Sequence, residues 1–290
     1  MIKGSIVALI TPFTNDLKVD YLRLTNLIHF HLKNKTDALL ILGTTSEAHT
    51  LSEDEKISII KHTISIVNKK IPVLVGTGSN DTYETIRFSK RVEQLKVDGL
   101  LIVTPYYNKS NIEGLKAHFK AINDSLNTPI YIYNVPSRTG FNLPLEVLKE
   151  IMTYSHIKGL KEASGNMSYF AQVMSIVPKS FAVYIGNDDL VIPALSLGAS
   201  GVISVCANII PLAFSNMVHY YFKQQIEKAK SLQLYYLDLI NSLFIEVNPI
   251  PVKYLLYLMG FIHGFYRLPL YMPSESLQLK LKELKKRYQI

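Results

Sequence analysis

The stretch Ile157 to Asn166, IKGLKEASGN, brings one lysine and one carboxylate, Lys161 and Glu162, to the end of a short apolar run. A buried cation is costly unless it is paired or discharged. Desolvation at an apolar strand end favours a neutral amine, and a neutral amine attacks a ketone to form a Schiff base. This stretch alone favours a plainer role, a lysine that reaches solvent along its aliphatic stem.

Chemistry at the ends of the other apolar runs separates the two. Those ends carry Thr11, Thr44-Thr45, Thr77, Tyr106-Tyr107, Tyr133-Asn134, Gly186 and Ser204. Hydroxyls and phenols therefore surround a single amine. The eight histidines are scattered, with no pair at ligand spacing, so no metal is expected. The lone Cys206 has no histidine partner and reads as a small core residue. No Ser–His–Asp arrangement is present to argue from. An amine, several hydroxyls and backbone donors are what a Schiff-base aldolase acting on a keto acid requires. The amine condenses with the ketone, the iminium becomes the electron sink for an enamine, and hydroxyls relay the protons.

Positioning such a set takes a scaffold that gathers many strand ends. Short apolar runs alternate with amphipathic stretches: Ser5 to Ile10, Ala38 to Leu42, Val73 to Val75, Gly99 to Val103, Ile130 to Tyr133, Ile157 to Leu160, Phe181 to Ile185 and Gly201 to Ile203. These runs are continuously apolar, as buried parallel strands are. Helix starts fall between them, at Asp20, at Ser52 before three acids, at Asn80 or Asp81, and at Pro144 in a first turn. A further helix is expected from Asp188 or Asp189 to Leu197. Eight strand–helix repeats predict an α/β fold, a (β/α)8 TIM barrel over residues 1–225, with a C-terminal helical subdomain over 226–290. A doubly wound sheet would want a glycine fingerprint after the first strand, where this chain has TPFTND.

Composition removes other classes. With 48% hydrophobic and 19% charged residues the chain builds a large core, and disorder is not expected. No apolar run approaches the roughly 20 residues of a membrane helix, and the N-terminal run is cut by Pro12. A single cysteine gives no disulfide, and a cytoplasmic protein is expected. The net charge is +8. Half of it sits on the tail KLKELKKRYQI, where Lys280, Lys282, Lys285, Lys286 and Arg287 face one acid, Glu283. That pattern is a solvated helix face without a recognition motif, so no nucleic acid is expected.

The segments GTTSEAHTLS (43–52), TPYYN (104–108), YNVPSRTG (133–140), GLKEASGN (159–166), GVISV (201–205) and NPIPVK (248–253) carry a resemblance along nearly the whole chain. In this combination the sequence resembles the 4-hydroxy-tetrahydrodipicolinate synthase family, pyruvate-dependent class I aldolases related to N-acetylneuraminate lyase. The resemblance implies condensation of pyruvate with L-aspartate 4-semialdehyde in diaminopimelate and lysine biosynthesis. The alternative within the wider family is cleavage of a sialic acid or a 2-keto-3-deoxy sugar acid. By resemblance, Lys161 is the Schiff-base nucleophile, with pyruvate held covalently and no further cofactor. Tyr133, Thr44 and Tyr107 form the proton relay, Tyr107 being shared between subunits of a homotetramer built as a dimer of dimers. Thr45 with Thr44 holds the pyruvate carboxylate. Arg138 clamps the semialdehyde carboxylate, and Gly186 and Ile203 line the second-substrate pocket.

Two positions depart from the family pattern. Ser46 stands where the family usually has glycine, and a left-handed backbone there would strain a serine by ~1 kcal/mol or more. The family's lysine-feedback pocket corresponds to Ala48, His49, Glu53, Lys56, Asn80, Glu84 and Tyr106. Glu84 is left to pair with an amino acid's ammonium group, whereas Lys56 brings a positive charge towards a cationic ligand. Weak or absent inhibition by L-lysine is expected.

Overall fold

Eight parallel strands close on themselves in the computed structural model, which describes residues 2–290. Met1, the first residue of the expected barrel segment, lies outside the described residues. The strands are β1 (Gly4–Ala8), β2 (Ala38–Ile41), β3 (Val73–Gly76), β4 (Gly99–Val103), β5 (Ile130–Asn134), β6 (Ile157–Glu162), β7 (Ala182–Ile185) and β8 (Gly201–Ser204). They neighbour one another in chain order, and β8 returns to pair with β1 through Gly4–Gly201 and Ile6–Ile203. Parallel neighbours need long crossovers, and helices supply them.

Alternation along each strand builds two separate apolar layers. One set of side chains fills the barrel: Ile6, Ala8, Ala38, Leu40, Leu74, Leu101, Tyr131, Tyr133, Tyr184 and Ile203. At one end Tyr184 donates its hydroxyl proton to the Ile2 carbonyl at 2.7 Å, tying the N-terminus to the barrel interior. The other set, with Val7, Leu39, Val75 and Ile132 among it, packs outwards on the helices. This outer core runs without a break into Leu239, Leu255, Leu277 and Leu281 of the C-terminal helices.

Helix boundaries follow local chemistry. Asp20 caps Tyr21–Lys33 by accepting from the Arg23 amide. Ser52 and Glu55 form a reciprocal capping box for Glu53–Val67. Asp81, not Asn80, caps Thr82–Glu93. Pro144 stands at the cap of Leu145–Ile151, one position earlier than expected. The helix expected from Asp188 or Asp189 divides into a 3-10 turn, Asp188–Leu190, and Val191–Ser196. A one-turn helix, Pro136–Thr139, was not expected; Pro136 at its first position starts it and left-handed Gly140 ends it. Past β8 the chain forms Pro211–Phe222, Ile226–Tyr235, Leu237–Ser242, Ile250–Leu258 and Glu275–Tyr288. Among the described residues no helix is long and apolar enough to cross a membrane.

Candidate active site

Tyr133 and Lys161 are partners in register across β5 and β6. Both alternate into the barrel, and the Lys161 Nζ lies 4.3 Å from the centre of the Tyr133 ring. Lys161 is 6% exposed, so the alternative of a stem leading to solvent is not what the fold builds. It belongs to the strand itself rather than to the loop after it. A cation or amine over a ring face is attracted to the π electrons, which holds Nζ beside the phenol.

Gly186 follows β7 on the other side of β6. A methyl group there would come within 3.0 Å of the Lys161 Cε and 2.6 Å of the Ala163 Cβ. Glycine leaves the room that the lysine stem occupies. Ile203, fully buried, belongs to the barrel interior on β8. Nearby Asp188 is buried, and its Oδ2 accepts from the Val205 and Cys206 amides at 3.0 and 2.7 Å. Burial pushes the Asp188 carboxyl up to about 6, against those two donors and the charge of Lys161. Sequence reading gave Asp188 only a helix-starting role; its place beside the lysine is a matter of the fold.

Thr44 and Thr45 lie in a 3-10 turn, Thr44–Ser46, immediately after β2. The strain feared at Ser46 does not occur. The left-handed residue is Glu47, at φ 55°, which ends the turn. Ser46 instead ties the turn to the segment that follows β1: its hydroxyl donates to the Leu9 carbonyl, and its carbonyl accepts from the Thr11 hydroxyl at 2.7 Å. The serine therefore adds a buried hydrogen bond that glycine cannot make.

Asn248 links two expected site residues. Its side-chain amide donates to the Thr45 hydroxyl at 3.0 Å, and its carbonyl accepts from the Arg138 guanidinium at 2.9 Å. Arg138 sits on Pro136–Thr139, exposed at the mouth. Asn248 was visible in the NPIPVK segment without a role; only the fold places it against Thr45.

Glu162 finds its partners. It accepts from the Asn134 side-chain amide and the Ser164 amide, each at 2.6 Å. Asn134 and Glu162 are the next register pair after Tyr133 and Lys161. Burial pushes the Glu162 carboxyl up, while these donors pull it back. This outward-facing pair locks the two strand ends that present the phenol and the amine inward.

Tyr107 does not join the others within one chain. It is 92% exposed and left-handed, at φ 66°. Beside the barrel mouth lies a cleft of about 500 Å³, lined by Thr44, Tyr106, Tyr133 and Arg138 and also by Ala48, His49, Glu53, Lys56 and Glu84. Lys161 is not on its wall; Tyr133 joins the cleft to the lysine. Glu84, expected to be open to an ammonium group, is engaged by Arg87 at 2.9 Å. The same guanidinium binds Glu53, and with Arg91 it holds that carboxyl below its usual range. Burial pushes the half-buried Lys56 amine down.

Comparison with known proteins places the whole chain in one family. Residues 1–287 match the model of the dihydrodipicolinate synthetase family. A 4-hydroxy-tetrahydrodipicolinate synthase of Clostridium perfringens is 48% identical over 283 residues, covering 98% of this chain and 97% of its own. Clostridium acetobutylicum 4-hydroxy-tetrahydrodipicolinate synthase 1 is 51% identical over 268 residues, 92% of this chain and 91% of its own. The chloride-inhibited dihydrodipicolinate synthase of Acinetobacter baumannii, solved with pyruvate, superposes with a TM-score of 0.98 at 39% identity, covering 100% of both chains. The chain belongs to the dihydrodipicolinate synthetase family.

Proposed function

We propose that this protein condenses pyruvate with L-aspartate 4-semialdehyde to give 4-hydroxy-tetrahydrodipicolinate, through a Schiff base on Lys161. The observation that carries the reading is the Lys161 amine held 4.3 Å from the Tyr133 ring centre, inside a barrel whose neighbouring strand ends supply hydroxyls. The amine attacks the pyruvate ketone and water leaves. The iminium then draws electrons from C3 as that carbon loses a proton, and the resulting enamine attacks the aldehyde carbon, whose oxygen takes up a proton to become the hydroxyl. The semialdehyde's own amine then attacks the re-formed iminium carbon, and the Lys161 amine leaves as the ring closes. Tyr133 and Thr44 move the protons, and Tyr107 completes the relay from the neighbouring subunit of a homotetramer. Its nearly complete exposure in a single chain agrees with a partner covering it.

Thr45, fixed by Asn248, holds the pyruvate carboxylate together with Thr44. Arg138 takes the semialdehyde carboxylate, because a guanidinium binds a carboxylate through two parallel hydrogen bonds. One of its nitrogens already rests on the Asn248 carbonyl, which steadies it at the mouth. A polyol substrate would have no use for such a clamp. Gly186 and Ile203 line the space for the second substrate.

Borohydride reduction with pyruvate, followed by peptide mass spectrometry, is the test. A reduced adduct on Lys161 is expected, together with turnover on aspartate semialdehyde and none on sialic acid. An adduct elsewhere, or none, refutes the mechanism.

A further inference from the structure

The chain buries a second lysine that the reaction does not use. Lys253, in Ile250–Leu258, is fully buried, as is its partner Glu47, and its Nζ lies 2.5 Å from the Glu47 Oε1. The rings of Phe13 and Tyr266 lie 4.3 and 5.0 Å from the same nitrogen. The second Glu47 oxygen accepts from the Arg267 amide at 3.4 Å. Every side of this pair is protein.

Stability alone is a weak reason for such a pair. Removing two charges from water is expensive, and apolar replacements of similar volume are often as stable or more so. Its location supplies another reason. Glu47 is the left-handed residue that closes the Thr44–Ser46 turn, and its amide donates to the Thr44 carbonyl at 3.2 Å. Five residues before Lys253, Asn248 holds the Thr45 hydroxyl. One C-terminal segment therefore grips the turn twice, at a threonine hydroxyl and at the carboxylate that ends it.

We propose that the buried Glu47–Lys253 ion pair is a positioning element for the Thr44–Thr45 turn, setting where the Thr44 hydroxyl stands relative to Tyr133 and Lys161. This rests on the reading that Thr44 and Thr45 serve the reaction. The pair touches no substrate; it acts through the turn. Misplacement of a reacting group by about 1 Å can cost on the order of 100-fold in rate, so a small relaxation of the turn is enough to be read in kcat.

The test is a double-mutant cycle on the full-length enzyme. Removing both charges together, with Glu47→Gln and Lys253→Met, leaves no uncompensated ion and keeps the volume, so the variant is expected to fold. Its kcat should fall about tenfold or more, with a raised KM for pyruvate. In a Thr44→Val background the same two substitutions should cost less than about threefold further, because the group they position is gone. Leu255→Ala, on the same helix, removes packing without touching the turn; it should lower the melting temperature and leave kcat within about twofold. Should the charge-free variant not fold, Glu47→Asp keeps the charge, shortens its reach, and carries the same two comparisons.

Unchanged kcat in the pair variant overturns the proposal, as do losses that multiply with Thr44→Val. Full turnover by Thr44→Val alone instead overturns the role given to the threonine, and with it the basis of the proposal. Those failures are distinguishable.

Discussion

Tyr133 and Lys161 face each other across adjacent parallel strands, with the amine 4.3 Å from the ring centre and the pair Asn134–Glu162 bonded one register step further on. A strand alternates its side chains with a period of two, so consecutive register pairs serve opposite faces. The inward pair is the one to which the proposed reaction assigns the chemistry, and the outward pair bonds the two strand ends together. Four consequences are measurable.

Gly186→Ala should disturb the lysine directly. The added methyl would lie 3.0 Å from the Lys161 Cε, and Ala163 at 2.6 Å leaves it nowhere to retreat. The lysine stem must shift, and kcat should drop by about tenfold or more. Borohydride trapping with pyruvate measures the effect on the first step alone. Wild-type trapping rates would contradict the assignment of that space.

Tyr107→Phe should separate rate from stability. The side chain is exposed in the single chain, so its hydroxyl contributes within about 0.5 kcal/mol to folding. As part of a proton relay it should cost about 100-fold in kcat. Thermal unfolding and steady-state kinetics on the same sample decide; full turnover removes Tyr107 from the relay.

L-lysine should inhibit weakly. The two carboxylates of the expected feedback pocket, Glu53 and Glu84, are both bound to Arg87, and Lys56 adds a further positive charge. An incoming ammonium group would have to displace a guanidinium that makes several bonds. A titration of activity with L-lysine should place half-inhibition above the millimolar range, and a micromolar value would contradict this.

Acid should destabilise the fold through buried imidazoles. Burial pulls His31 from 6.5 to about 3 and His118 to about 4. Between those values and 6.5 the unfolded chain binds protons that the folded chain refuses. Their contribution is therefore complete above pH 6.5 and is lost as the pH falls. Asp188, pushed up to about 6, works in the opposite sense between 3.8 and that value. Between pH 7 and pH 5, His31 alone should account for about 2 kcal/mol of lost stability. Urea denaturation of wild type and His31→Gln at both pH values tests this, since equal losses would mean His31 does not stay neutral.

Much of this architecture is legible in the sequence. Continuously apolar runs at regular spacing specify buried parallel strands, and the caps at Asp20 and Ser52 specify where helices begin, because both depend on local chemistry. Lys161, Tyr133 and the threonines were legible as strand-end residues for the same reason. What local chemistry does not encode is which distant groups meet. Ser46 looked like a strained substitute for glycine, yet the left-handed residue is Glu47 and the serine hydroxyl reaches the Leu9 carbonyl. Glu84 looked free for a ligand, yet Arg87 binds it. Asn248 and Lys253 stood in a quoted segment without a role, because their partners Thr45 and Glu47 lie about two hundred residues earlier. The sequence by itself determined the barrel, the amine and the hydroxyls around it. The tertiary structure alone decided how those groups are held, because closing the chain brings buried polar groups together and each must then find a partner that no local pattern names.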